Sequence, residues 1–75
     1  MQQLEFELTD DFIELNNLLK IMGLCQSGGA GKMLVAQGNV KVNGQRELRK
    51  TCKIRAGQTV SLGDVRISVV GKPTS

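Results

Sequence analysis

Histidine, tryptophan and tyrosine are absent from this 75-residue chain, and proline occurs once. Without histidine, no Ser–His or Cys–His pair can make a nucleophile. The two cysteines, Cys25 and Cys52, stand far apart and in no metal-ligand spacing, so the sequence supports no zinc site and no cofactor. They read either as reduced thiols packed like small apolar groups or as one disulfide. No apolar run approaches the roughly 18 residues needed to span a bilayer. The acidic beginning lacks the apolar stretch of a signal peptide, so the expected location is the cytoplasm, with no membrane partner. Phe6 and Phe12 are the only aromatic residues, and both sit in apolar patterns. That leaves no exposed ring on which unpaired bases could stack. A nucleic-acid partner would have to be recognised through the charge and shape of a folded backbone.

Length sets a further bound. Seventy-five residues allow one domain with a thin core and little room for a deep substrate cleft, which points away from an enzyme. A hydrophobic fraction of 40% still suffices for a folded domain. Charge is unevenly divided. The first fifteen residues hold five acids (Glu5, Glu7, Asp10, Asp11, Glu14) and no base. The other sixty hold all ten bases against Glu47 and Asp64, a local charge of +8. Such a field attracts polyanions, although an ordinary solvated surface would also accommodate it.

Leu4, Phe6 and Leu8 alternate with Glu5 and Glu7, the pattern of a half-buried strand. Phe12, Leu15, Leu18, Leu19 and Met22 recur at helical spacing, and Thr9, Asp10 and Asp11 offer caps, so a helix is expected over residues 10–22. Capping also explains the Asp10–Asp11 pair better than acid–base chemistry does. Gly23 suits the left-handed position after that helix, with Leu24 folding back on Leu19. A second helix is expected to start at Ser27 and end before Gly38, with Ala30 and Leu34 on one face. From Asn39 the period becomes two. Val40 and Val42 face opposite to Lys41, and Asn43-Gly44 signals a tight turn. Strands are expected at Cys52–Ile54, Thr59–Leu62 and Val65–Val70, the last two joined by a Gly63-Asp64 hairpin turn. Gly71–Ser75 reads as a frayed tail, leaving residues 1–71 as a single domain and 72–75 as flexible chain. The fold class is α+β: a helix pair packed on a small, mostly antiparallel sheet.

Two stretches could carry function. Ser27-Gly28-Gly29-Ala30-Gly31-Lys32 looks at first like a nucleotide-binding loop, which needs Gly-x4-Gly-Lys-Ser/Thr. Counting back from Gly31-Lys32 puts that first glycine on Gln26 and the hydroxyl on Met33, so the loop is absent. Two readings remain: the glycines serve close packing, or they let a phosphate approach the free amides of a helix N-terminus beside Lys32. Both readings stay open and are compatible. The second stretch, Arg46, Arg49, Lys50, Lys53 and Arg55, is either a solvated edge strand or a phosphate-tracking stripe.

The run Leu18-Leu19-Lys20, Gly23-Leu24, Ser27, and Gly38-Asn39-Val40-Lys41-Val42-Asn43-Gly44 resembles the alpha-L motif of the S4-type RNA-binding domain. Its continuation, Leu48-Arg49-Lys50-Thr51-Cys52-Lys53-Ile54 and then Ala56-Gly57-Gln58-Thr59-Val60, resembles the stand-alone bacterial members of YbcJ type. The resemblance implies a non-catalytic domain that binds structured RNA, ribosomal or transfer, with ribosomal particles as a further partner; a monomer is expected. Carried over by position, the implied contacts are Lys20, Ser27, Gly28, Gly29, Lys32, Lys41, Asn43, Arg46, Arg49, Lys50 and Lys53. Many members carry arginine where this chain has Gly28, which leaves backbone amides and Lys32 to act there. The alternative expectation is a protein–protein module or ribosome-associated factor, and an enzyme of nucleotide metabolism comes a distant third.

Overall fold

The computed structural model describes residues 2–71. In chain order the elements are β1 (Gln2–Leu8), β2 (Ile13–Glu14), α1 (Leu15–Ile21), α2 (Gly28–Ala36), β3 (Val40–Val42), β4 (Gln45–Arg46), β5 (Lys53–Ile54), β6 (Thr59–Leu62) and β7 (Val65–Gly71). Five strands form one sheet in the order β1-β7-β6-β3-β4, while β2 and β5 pair separately. Every pairing is antiparallel except β1 with β7. The α+β class read from the sequence is therefore the class observed.

One face of the large sheet is apolar. Val40, Val42, Val60, Ile67 and Val69 are buried there, together with Leu15, Leu18, Leu19 and Val35 from the helices. The alternation of strand side chains sends Lys41, Ser61 and Arg66 to the opposite face.

The first helix starts five residues later than its leucine spacing suggests. Asp10 and Asp11 lie outside it, exposed, and Glu14 stands at its N-cap without a side-chain cap bond. The cause is tertiary. Ile13 pairs with Ile54 and Glu14 with Lys53, and the Leu15 amide donates to the Cys52 carbonyl at 2.8 Å. Those bonds hold residues 13–14 extended, so Phe12 leaves the helical pattern and lies under Lys53, whose Nζ is 4.9 Å from the ring centroid.

The ends of both helices follow the local signals. Gly23, at φ 77°, lets the Leu24 amide donate back to Leu19 and the Gly23 amide to Lys20, both at 3.0 Å. Gly38, at φ 78°, repeats the motif after α2. The contact face of α2 centres on Gly31 and Val35, which are buried, with Ala30 half-buried and Leu34 packed against the core beside them. A Cβ on Gly31 would stand 2.7 Å from the Asn16 carbonyl oxygen, so the helices cross where only glycine fits.

Asn43 (φ 53°) and Gly44 (φ 84°) make the expected two-residue turn between β3 and β4. The Asn43 amide donates to the Thr59 carbonyl at 2.7 Å and its Oδ1 accepts from the Thr59 amide at 2.9 Å, which tie the turn to β6. Gly71, expected in the tail, instead closes β7 opposite Leu8. The rest of that expected tail, residues 72–75, lies outside the described residues.

Candidate nucleic-acid interface

Ser27 sets the geometry at the start of α2. Its Oγ accepts the Ala30 amide at 3.1 Å and its carbonyl accepts the Gly31 amide at 3.0 Å. The amides of Gly28 and Gly29 keep no protein partner among the described residues. Gly29 is open to solvent, and a Cβ there would meet only the Ser27 Oγ at 3.8 Å. Lys32 is exposed one turn further on, on the side of Gly28. Two free amides at the positive end of a helix, with a lysine one turn on, are the kind of group that can hydrogen-bond an oxyanion.

Beside this site stands a residue that the sequence reading passed over. Asn16 is the one buried polar residue among the described ones, and its Oδ1 has no hydrogen-bond partner. Its Nδ2 lies 3.4 Å from where a Cβ on Gly28 would stand. The signal was available, because Asn16 sits three residues before Leu19 and so on the core-facing side of α1.

Lys20 and Lys53 line one shallow depression around Ile21, next to Asn17, which also borders Gly28. Asp10 and Glu14 line it as well, so the depression carries two acids against its two lysines. Lys53 further borders a second hollow shared with Arg49, Thr51 and Cys52. The helix start, Lys20, Lys53 and Arg49 thus follow one another around the α1 side of the molecule, and Lys50 is exposed beside Arg49.

Arg49 is not a free cation. Its Nε donates to one oxygen of Glu47 at 3.0 Å and a second guanidinium nitrogen to the other at 3.1 Å. Its backbone amide adds a third bond at 3.0 Å. These side-chain and backbone donors hold the Glu47 carboxyl down at about 2. Glu47 in turn raises the Arg49 pKa. Burial, followed by the Glu47 carboxylate, pushes the Cys52 thiol up. Both cysteines are free thiols. The remaining implied contacts lie elsewhere. Lys41 and Arg46 stand directly opposite one another in β3 and β4, and the Asn43 side chain is engaged within the fold.

Among the described residues no three His, Cys, Asp or Glu side chains group as metal ligands. No helix among them is long and apolar enough to cross a membrane.

Comparison with known proteins places this geometry in a lineage. The S4 domain family model matches residues 6–70. Over 58 residues the chain is 50% identical to the putative RNA-binding protein YbcJ of Escherichia coli K12, covering 77% of this chain and 83% of that one. A YbcJ protein of Shigella flexneri matches with the same identity and coverage. The solution structure of the Escherichia coli YbcJ, described as revealing an alfaL motif involved in RNA-binding, superposes with a TM-score of 0.66 at 43% identity. That match covers 93% of this chain and 87% of the other.

Proposed function

The chain belongs to the S4 domain family, and from that premise we propose that it is a non-catalytic protein that binds structured RNA through the phosphate backbone. The observation that carries the proposal is the start of α2, where the Gly28 and Gly29 amides are unpaired beside Lys32. One phosphate docks on these amides. Lys20, Lys50 and Lys53 follow the neighbouring backbone, and the outward face of the Arg49 guanidinium adds to them. Helical or folded RNA, of the ribosomal or transfer type, suits a surface that offers charge and whose two aromatic rings, Phe6 and Phe12, are both half-buried. The protein works as a monomer in the cytoplasm.

The test is a titration of unfractionated transfer RNA and of ribosomal RNA fragments at several salt concentrations. With about five phosphates neutralised, log K should fall against log salt with a slope of about −3.5 to −4.5. Lys32→Glu should weaken binding and make the slope shallower by about one unit. Salt-independent binding, or none at low salt to either RNA, refutes the proposal. A protein partner is the second reading, supported by the exposed Ile21 and Met33 beside Lys20 and Lys32. It would show as a pull-down that survives RNase but is lost with Met33→Asp.

A further inference from the structure

The register of the large sheet aligns four side chains that lie far apart in sequence. Arg46 is paired with Lys41, Lys41 with Ser61, and Ser61 with Arg66. Because paired residues share a face, the four stand abreast across β4, β3, β6 and β7. Their chain neighbours Val40, Val42, Val60 and Ile67 are buried under the helices, so the row points the other way, into solvent. With strands about 4.8 Å apart, the row is about 14 Å long.

Three of its four members are cationic, and none has an ion-pair partner among the described residues, where the one pair is Arg49 with Glu47. Lys41 and Arg46 stand directly opposite each other, an arrangement that costs stability. The acids of this face, Glu5 and Glu7, stand on β1 beside Ser68 and Val70, further along the strand from Arg66. Arg46 has a partial structural explanation. Its Cδ lies 3.3 Å from where a Cβ on Gly38 would stand, so the side chain packs on the Gly38 backbone that leads from α2 into β3. Lys41 and Arg66 have none. Both border a groove rimmed by Gly44 and Gly63, where an added Cβ would meet nothing within 4 Å and the backbone is open to a close approach.

We propose that this row is a second phosphate-contact surface, on the face of the sheet away from the helices, and that the protein holds RNA backbone on two sides. Arg66 is its distinguishing residue, because it stands alone in its own strand and joins the row only through the register. The inference rests on the RNA-binding reading above. The occupant is a separate stretch of RNA backbone from the one at α2, since the row and the helix start lie on opposite sides of the sheet.

Arg66→Glu, Lys41→Glu and Lys32→Glu are to be compared by fluorescence anisotropy on the same unfractionated transfer RNA across a salt series. Arg66→Glu should weaken binding several-fold and make the salt slope shallower by about one unit, with Arg66→Lys restoring most of the loss. Lys41→Glu should weaken binding while raising the melting temperature, because it turns a repulsive pair with Arg46 into an attractive one. Amide resonances of Ser61 and Arg66 should shift on addition of RNA to the Lys32→Glu protein. If Lys32→Glu weakens binding but Arg66→Glu and Lys41→Glu leave both affinity and slope unchanged, the second surface is refuted and the RNA-binding reading stands. If the wild-type protein does not bind the RNA, both fail together.

Discussion

Replacing Gly31 by alanine sets helix propensity against packing at one atom. In the interior of an isolated helix the change would gain about 1 kcal/mol. Here the new methyl would stand 2.7 Å from the Asn16 carbonyl oxygen, 3.2 Å from its Cα and 3.3 Å from its carbonyl carbon. All three are backbone atoms of α1, which cannot rotate aside, so the helices have to separate. Separation loosens Leu15, Leu19 and Val35, all fully buried. Overpacking of this kind costs about 1–3 kcal/mol, which outweighs the propensity gain. A net loss of about 1 kcal/mol would lower the melting temperature of a domain this size by about 4–8 °C. Gly29→Ala is the internal control, because its methyl would meet only the Ser27 Oγ at 3.8 Å. That variant should be as stable as the wild type or more so. Urea and thermal unfolding of the two variants decide the matter. If Gly31→Ala proves as stable as Gly29→Ala, the close helix crossing is not what requires glycine at position 31.

Other substitutions probe features that the same unfolding assays can read. Ser27→Ala removes the acceptor of the Ala30 amide and should cost about 1 kcal/mol; an unchanged urea midpoint would contradict the cap. Asn43→Ala loses both the left-handed preference and the bond from Thr59, which together should cost about 1–2 kcal/mol, while Asn43→Asp should retain most of that. Equal losses in the two variants would refute that account of the turn. Glu47 should govern part of the acid limb of stability. Its carboxyl titrates near 2 when folded, against an ordinary 4.5, so its contribution is full above about 4.5 and is lost as the pH falls towards 2. Glu47→Gln should flatten that limb. In a Cys25→Ser background it should also let Cys52 alkylate at lower pH, since Glu47 helps to hold that thiol up. An unmoved alkylation profile would mean that burial alone sets the Cys52 thiol.

Signals that depend on a few adjacent residues were legible in the sequence. Ser27 as a cap, Gly23 as a helix stop, and the Asn43-Gly44 and Gly63-Asp64 turns all act through local backbone geometry, and each stands where it was expected. What escaped depends on partners distant in the chain. The start of α1 moved because β5, forty residues away, holds Ile13 and Glu14 extended. The need for glycine at position 31 is set by the backbone of Asn16, fifteen residues earlier in the chain. The basic stretch from Arg46 to Lys53 is continuous in sequence, yet Arg46 stands in the row with Lys41 while Arg49 is tied to Glu47. Arg66 belongs to no run of charge, and only a strand register could bring it beside Lys41. The resemblance to the S4 family rested on helix, turn and strand residues together, and among them Gly23, Ser27, Asn43 and Gly44 have the geometry that local signals fix.

The parallel pairing of β1 with β7 bears on how the protein is made. It joins residue 2 to residue 65 and residue 8 to residue 71, an offset of 63 throughout. During synthesis, β1 leaves the ribosome first and has to wait for nearly the whole domain before its partner exists. The helix pair and the β3–β4 hairpin close over short distances and can form meanwhile, whereas contacts of such long range close slowly. Until then β1 is an exposed strand whose apolar residues Leu4, Phe6 and Leu8 could pair with any passing edge. Glu5 and Glu7, alternating with them, discourage that association. The acidic character of the first strand, which adds nothing to the attraction of a polyanion, thereby acquires a use as protection for a nascent chain.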